Sequence, residues 1–183
     1  LLSPYANYFM RHISMSANNF GVLLEDLGRR DEAFSAYQKA RDISPDNVSA
    51  LLNLSAMVRN GYKTDKAEAI GKAVDELVRN SSANRDIWSL SRSCGYVRTP
   101  EAYGRLGMTW AFSGQPGAAV SGLRKAMALL PQDRKSEVKQ TLADIYLEQE
   151  HEEESEALFY EILVENPDNP RALLGMARIA ARK

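Results

Sequence analysis

Two stretches of this chain set small and large residues at nearly the same offsets, and that recurrence constrains its fold most. Between Ser14 and Asn47 stand Phe20-Gly21, Gly28, Ala33, Tyr37, Ala40 and Pro45. Further on come Tyr103, Leu106-Gly107, Trp110, Gly114, Ala119, Leu123, Ala126 and Pro131. Small residues at Gly21, Ala33, Ala40, Gly107, Ala119 and Ala126 belong where two helices cross closely, since larger ones would part the backbones. Phe20, Leu24, Tyr37, Leu106, Trp110 and Leu123 recur at the spacings of one amphipathic helix face. Gly28 and Gly114 fall where the first helix of each pair should end, because glycine adopts the left-handed conformation cheaply. Pro45, Pro131 and Pro167 stop the second helix, since proline cannot donate to the helical ladder.

This order resembles the W-x2-L-G-x2-Y…A-x3-F…P pattern of the tetratricopeptide repeat, whose period is about 34 residues. The resemblance implies an all-α fold: an α-α superhelix, right-handed, of about four helix pairs plus terminal helices. It also implies a scaffold that holds a partner rather than an enzyme. We expect one domain over residues 1–183, with repeats near 14–47, 48–81, 100–133 and 136–169 and a closing helix at 170–183. From Pro45 to Pro131 is 86 residues, which is not a whole number of periods, so an insertion is expected near 82–99. The stretch TWAFSGQPGAAVSGLRKAMALLP, with WSLSRSCGYVR before it, is also similar to tetratricopeptide tails of multi-pass bacterial envelope proteins.

Local signals give the expected elements. Residues 3–13 read as a short separate helix, with Tyr5, Tyr8, Phe9 and Ile13 covering the flank of the first repeat. The first pair spans about 15–28 and 31–44, with Asp31 capping the second helix. Asn47 or Ser49 opens the next pair, and Ser55 takes its close-packing position. After Gly61, Thr64 or Asp65 caps a helix whose buried stripe is Ala67, Ile70, Ala73, Val74 and Leu77. The fourth pair covers 136–149 and 152–165, with Glu150 where glycine usually stands. The closing helix presents Leu173, Met176, Ala177 and Ala180.

Composition narrows function. A net charge of −1 lacks the basic surplus of a phosphate-binding domain, so no nucleic-acid partner is expected. Cys94 is the only cysteine, which excludes an intramolecular disulfide and a thiolate metal cluster. No apolar run approaches the roughly 20 residues that span a bilayer, so direct membrane insertion of this segment is not expected. Leu1-Leu2 opens the chain without methionine or a signal-like segment, the expectation being a processed or excised piece. Either a cytoplasmic or a periplasmic setting fits. His12 and His151 lack local partners at metal-ligand spacing, and Cys94 has no neighbouring histidine. The glutamates after His151 suit a helix amino terminus. No cofactor and no catalytic or metal residues are expected.

In the resembling family, the first helices of successive pairs line a concave groove that takes a peptide. The matching groove positions here are Asn18, Val22, Glu25, Leu52, Arg59, Met108, Phe112, Gln140, Asp144 and Glu148. Asn18 and Asn53 stand near the positions of a carboxylate clamp, but its lysines and arginines are missing. Glu137, Asp144 and Glu148 share one helix face. They form either a wall for a basic or amphipathic peptide or a solvated face. In the insertion, Arg85, Trp88, Arg92, Tyr96 and Arg98 mix arginine with aromatics, as binding hot spots do. The competing reading has Ile87, Trp88, Leu90 and Tyr96 plugging the gap left by the broken register. The expected function is a non-catalytic protein- or peptide-binding scaffold, with homo-oligomers open to it. The alternative is an accessory structural or oligomerising domain of a larger membrane-associated protein.

Overall fold

The computed structural model describes residues 3–80 and 87–182, and all regular elements among them are helical. Ten α-helices follow one another among these residues: α1 Pro4–Asp26, α2 Arg30–Ile43, α3 Val48–Arg59, α4 Ala67–Asn80, α5 Ile87–Cys94, α6 Pro100–Phe112, α7 Pro116–Leu129, α8 Ser136–Glu148, α9 Glu152–Glu165 and α10 Pro170–Ala180. Two compact units divide them, one ending at Arg98 and one beginning at Thr99.

In the first unit α1 packs along α2, and α2 along α3. Gly21 lets the α1 backbone lie on the Tyr37 ring; a Cβ there would stand 2.6 Å from two ring carbons. The Tyr37 hydroxyl donates to Glu25 at 3.0 Å, so the ring is both buried and anchored. Ser14 donates to the Ala40 carbonyl at 2.6 Å, closing the other end of the crossing. Gly28 and Gly61 end α1 and α3 with φ of +76° and +81°, as their positions in the sequence require. Asn47 caps α3 by accepting from the Ala50 amide at 2.9 Å.

Several expectations here need correction. Residues 3–13 are not a separate helix, because nothing between Pro4 and Asp26 breaks the ladder and α1 runs through them. Tyr5, Tyr8, Phe9 and Ile13 accordingly lie exposed instead of covering the first repeat. Phe20 is exposed too, at 56%, although Leu142 at the equivalent place in α8 is buried against α7. No described helix occupies that side of α1. Asp31 does not cap α2, which begins one residue earlier at Arg30; Asp31 accepts instead from Tyr62 and pairs with Lys63 at 3.2 Å. The stripe expected on α4 is at most half-buried, with Ala67 exposed, since among the described residues α4 packs mainly on α3.

The second unit repeats the pair geometry more tightly. Gly107 of α6 meets Gly122 of α7, where a Cβ on Gly122 would lie 3.0 Å from the Gly107 Cα. Ala119, Leu123, Leu142, Ile145 and Tyr146 form one core cluster, and Ala143, Leu147, Phe159, Ile162, Ala172 and Ile179 another. Glu150 ends α8 with φ of +62°, a left-handed conformation that glycine takes at the matching Gly114. On α10 the buried face is Ala172, Gly175 and Ile179, while Leu173, Ala177 and Ala180 are exposed. The Phe159 ring fills the space over Gly175, so no side chain fits at that position.

Candidate functional site

Asparagine is a poor interior residue for a helix, because its amide competes for backbone groups. Asn18 and Asn53 nevertheless stand inside α1 and α3, fully buried, and each has its amide engaged. Asn53 Nδ2 donates to Asn18 Oδ1 at 3.0 Å, joining the two helices. Both amides then donate to one acceptor, the Tyr96 carbonyl, at 2.9 Å from Asn18 and 3.0 Å from Asn53. Asn53 Oδ1 accepts from the Arg98 backbone N–H at 2.7 Å, and Asn19 Oδ1 from the Tyr96 N–H at 2.7 Å. Three asparagines thus satisfy the main chain of a non-helical segment laid on the α1/α3 face.

That segment, residues 95–98, follows α5, the short helix formed by the expected insertion, which packs on α1 and α3. Each residue meets a different environment. Gly95 has φ of +92°, and a Cβ there would stand 2.7 Å from Asn18 Nδ2 and 3.1 Å from the Met15 carbonyl. The Tyr96 side chain is half exposed, while Val97 is buried. Arg98 reaches back to α1, where Nε donates to Asp26 at 2.9 Å and Nη1 to Glu25 at 3.1 Å. Its side chain is 21% exposed and those of the two carboxylates 13% and 12%, so water screens this cluster less than a surface pair.

The groove positions expected from the sequence disperse. Asn18, Val22 and Glu25 lie on α1, with Val22 buried. Leu52 is half-buried, and the neighbouring Asn53 carries the bonds to the segment; the two asparagines stand 35 residues apart, one more than the assumed period. Arg59 is exposed at the end of α3. In the second unit Met108 packs against the Leu123 cluster, and Phe112 is 85% exposed. Gln140 is buried, its Nε2 donating to Asp144 at 3.3 Å, and Asp144 pairs with Arg171 of α10 at 2.9 Å. Glu137 and Glu148 are exposed along the same helix, and only Asp144 of the three acids is held by Arg171 among the described residues. In the insertion, Arg92 is exposed. Arg85 and the Trp88 side chain, with the plug reading that rests on it, lie outside the described residues.

The chemistry of the remaining polar groups is that of ion pairs. Among the described residues no three His, Cys, Asp or Glu side chains converge as metal ligands would. His12 lies against Tyr8 with ring centroids 4.3 Å apart and the rings tilted by 58°, and His151 faces Glu154 at 3.4 Å. Lys139, its side chain only 5% exposed, holds Glu165 at 2.8 Å and Glu161 at 3.0 Å. Burial alone would lower the Lys139 pKa, but the hydrogen bonds to these carboxylates raise it above the ordinary lysine value. Among the described residues, no helix is long and apolar enough to cross a membrane.

Residues 14–44 match the tetratricopeptide repeat family, over the α1/α2 pair whose Gly21–Tyr37 crossing is described above. The chain carries a tetratricopeptide repeat. Several solved structures align over most of the chain at TM-scores below 0.5. The crystal structure of MamA protein aligns with a TM-score of 0.44 and 18% identity, over 95% of this chain and 80% of that one. TTC0263, a thermophilic tetratricopeptide protein in Thermus thermophilus, gives 0.39 and 21%, over 92% and 97%. YrrB, a tetratricopeptide protein with an unusual peptide-binding site, gives 0.44 and 15%, over 92% and 77%. No curated protein matches the chain. A tetratricopeptide fold is in general a protein-interaction scaffold.

Proposed function

We propose that this chain is a non-catalytic scaffold that binds a non-helical segment of a protein partner on the α1/α3 face. One observation carries the reading: Asn18, Asn19 and Asn53 bond the backbone N–H and C=O groups of a passing chain. Side-chain amides that pair with a main chain hold it through groups that every residue carries, as strand addition does on a sheet edge. Glu25 and Asp26, at the far end of the same face, favour a basic residue in the partner. Long-range attraction adds to the association rate and weakens with salt.

A peptide array of random sequences probed with the full chain tests this. The expected result is a set enriched in arginine-containing peptides, largely lost when Asn53→Ala is combined with Asp26→Ala. An unchanged set from a doubly substituted chain of normal helicity would refute the α1/α3 face as the binding surface.

A further inference from the structure

We propose that residues 95–98 are a resident pseudo-ligand, and that the partner they stand in for carries a glycine–any–small apolar–arginine stretch. The proposal rests on the peptide-binding reading above and adds to it the sequence that is read and the device that gates it. Every position of Gly95-Tyr96-Val97-Arg98 is recognised or left free for a stated reason. Glycine is required at the first position by its φ of +92° and by the approach of Asn18 and the Met15 carbonyl. The second side chain is free, since Tyr96 is 48% exposed while its N–H and C=O are bonded. The third must be apolar and small, because Val97 is only 5% exposed. The fourth must be arginine: two separate nitrogens reach two carboxylates, which a lysine ammonium cannot reproduce in that fork geometry.

These contacts are almost wholly polar and reversible. Apart from Val97, the segment contributes little apolar burial to the unit, whose core lies instead between α1, α2 and α3. A segment so held is displaced by any chain that repeats its contacts, and its covalent tether raises the concentration such a chain must reach. The observed arrangement is therefore the closed state of a binding face. A partner bearing the same four-residue pattern opens it.

The test uses the full chain and a fluorescent peptide of residues 93–99 with serine in place of Cys94. Gly95→Ala and Arg98→Ala are two independent ways to dislodge the resident segment without touching the asparagines. Both variants should bind the peptide at least about tenfold more tightly than the unsubstituted chain, the order of gain that removing a tethered competitor gives. Adding Asn53→Ala to Gly95→Ala should abolish that binding, and a peptide with glutamate for the arginine should bind none of them. In the unsubstituted chain, excess peptide should speed hydrogen exchange at the Tyr96 and Arg98 amides of the protein, a readout that needs no variant. Equal affinity for all three chains, with unchanged exchange, would overturn the gating and leave the peptide-binding face standing. No binding by any of the three, with normal melting, would overturn both.

Discussion

Gly107→Leu tests the helix-pair architecture most directly, because the crossing of α6 and α7 is a contact of backbones. A Cβ at Gly107 would stand 2.7 Å from Leu123 Cγ and 3.0 Å from the Leu123 backbone nitrogen. Leu123 is buried, so its side chain has no free space to move into, and a backbone nitrogen cannot turn aside at all. Leucine favours a helix interior over glycine by about 0.8 kcal/mol. Forcing a branched side chain into a filled crossing costs about 1–3 kcal/mol, occasionally more, and this one starts at backbone contact. The net effect is a loss of about 2 kcal/mol, or about 8–16 °C in melting midpoint for a unit of this size. Trp110 lies on α6, so its fluorescence in a Trp88→Phe background follows this unit through a thermal melt. Gly107→Ala, which adds the Cβ alone, should fall by less. A leucine variant that melts with the parent would refute the crossing and the repeat register derived from it.

The opposite sign is expected at Gly71, which is exposed inside α4 with nothing within 4 Å of an added Cβ; Gly71→Ala should raise stability by about 0.5–1 kcal/mol in a denaturant titration. The hydrogen bond from Lys139 holds the Glu165 carboxyl below its ordinary value of 4.5. A carboxylate lowered in the folded state contributes stability above its unfolded pKa and loses it as pH falls through the folded one. Melts across the acid range should therefore fall more steeply for the parent chain than for Glu165→Gln, and parallel curves would refute the assignment.

The pair geometry was legible because it is local. Gly21 and Tyr37, or Gly107 and Leu123, sit at fixed separations, and one helical turn of error would destroy their contact. Gly28, Gly61 and Gly114 likewise announce the helix ends, since the left-handed conformation is a property of single residues. Phe20 shows where that reasoning stops. Its spacing marks an apolar face, but whether a helix covers the face depends on a neighbour that periodicity does not contain. On α10, Leu173 and Ala172 are both apolar, and the Phe159 ring over Gly175 decided which of them turned inward.

The candidate site was half written in the sequence. Asn18 was marked by its repeat offset, and Asn53 with it by standing near the positions of a carboxylate clamp. Asn19 and the role of Gly95 were not marked at all, nor was Arg98 as the partner of Asp26. Their partners lie more than 70 residues away along the chain, in a segment outside the repeat. The sequence by itself determined the helix pairs, their glycine-marked ends and the close crossings at Gly21 and Gly107, because these depend on residues within one repeat. Only the tertiary structure decided that residues 95–98 return to α1 and α3, because main-chain donors and acceptors are the same at every residue. Which of them an asparagine amide meets is set by where the chain passes, and residue identity alone does not fix that path.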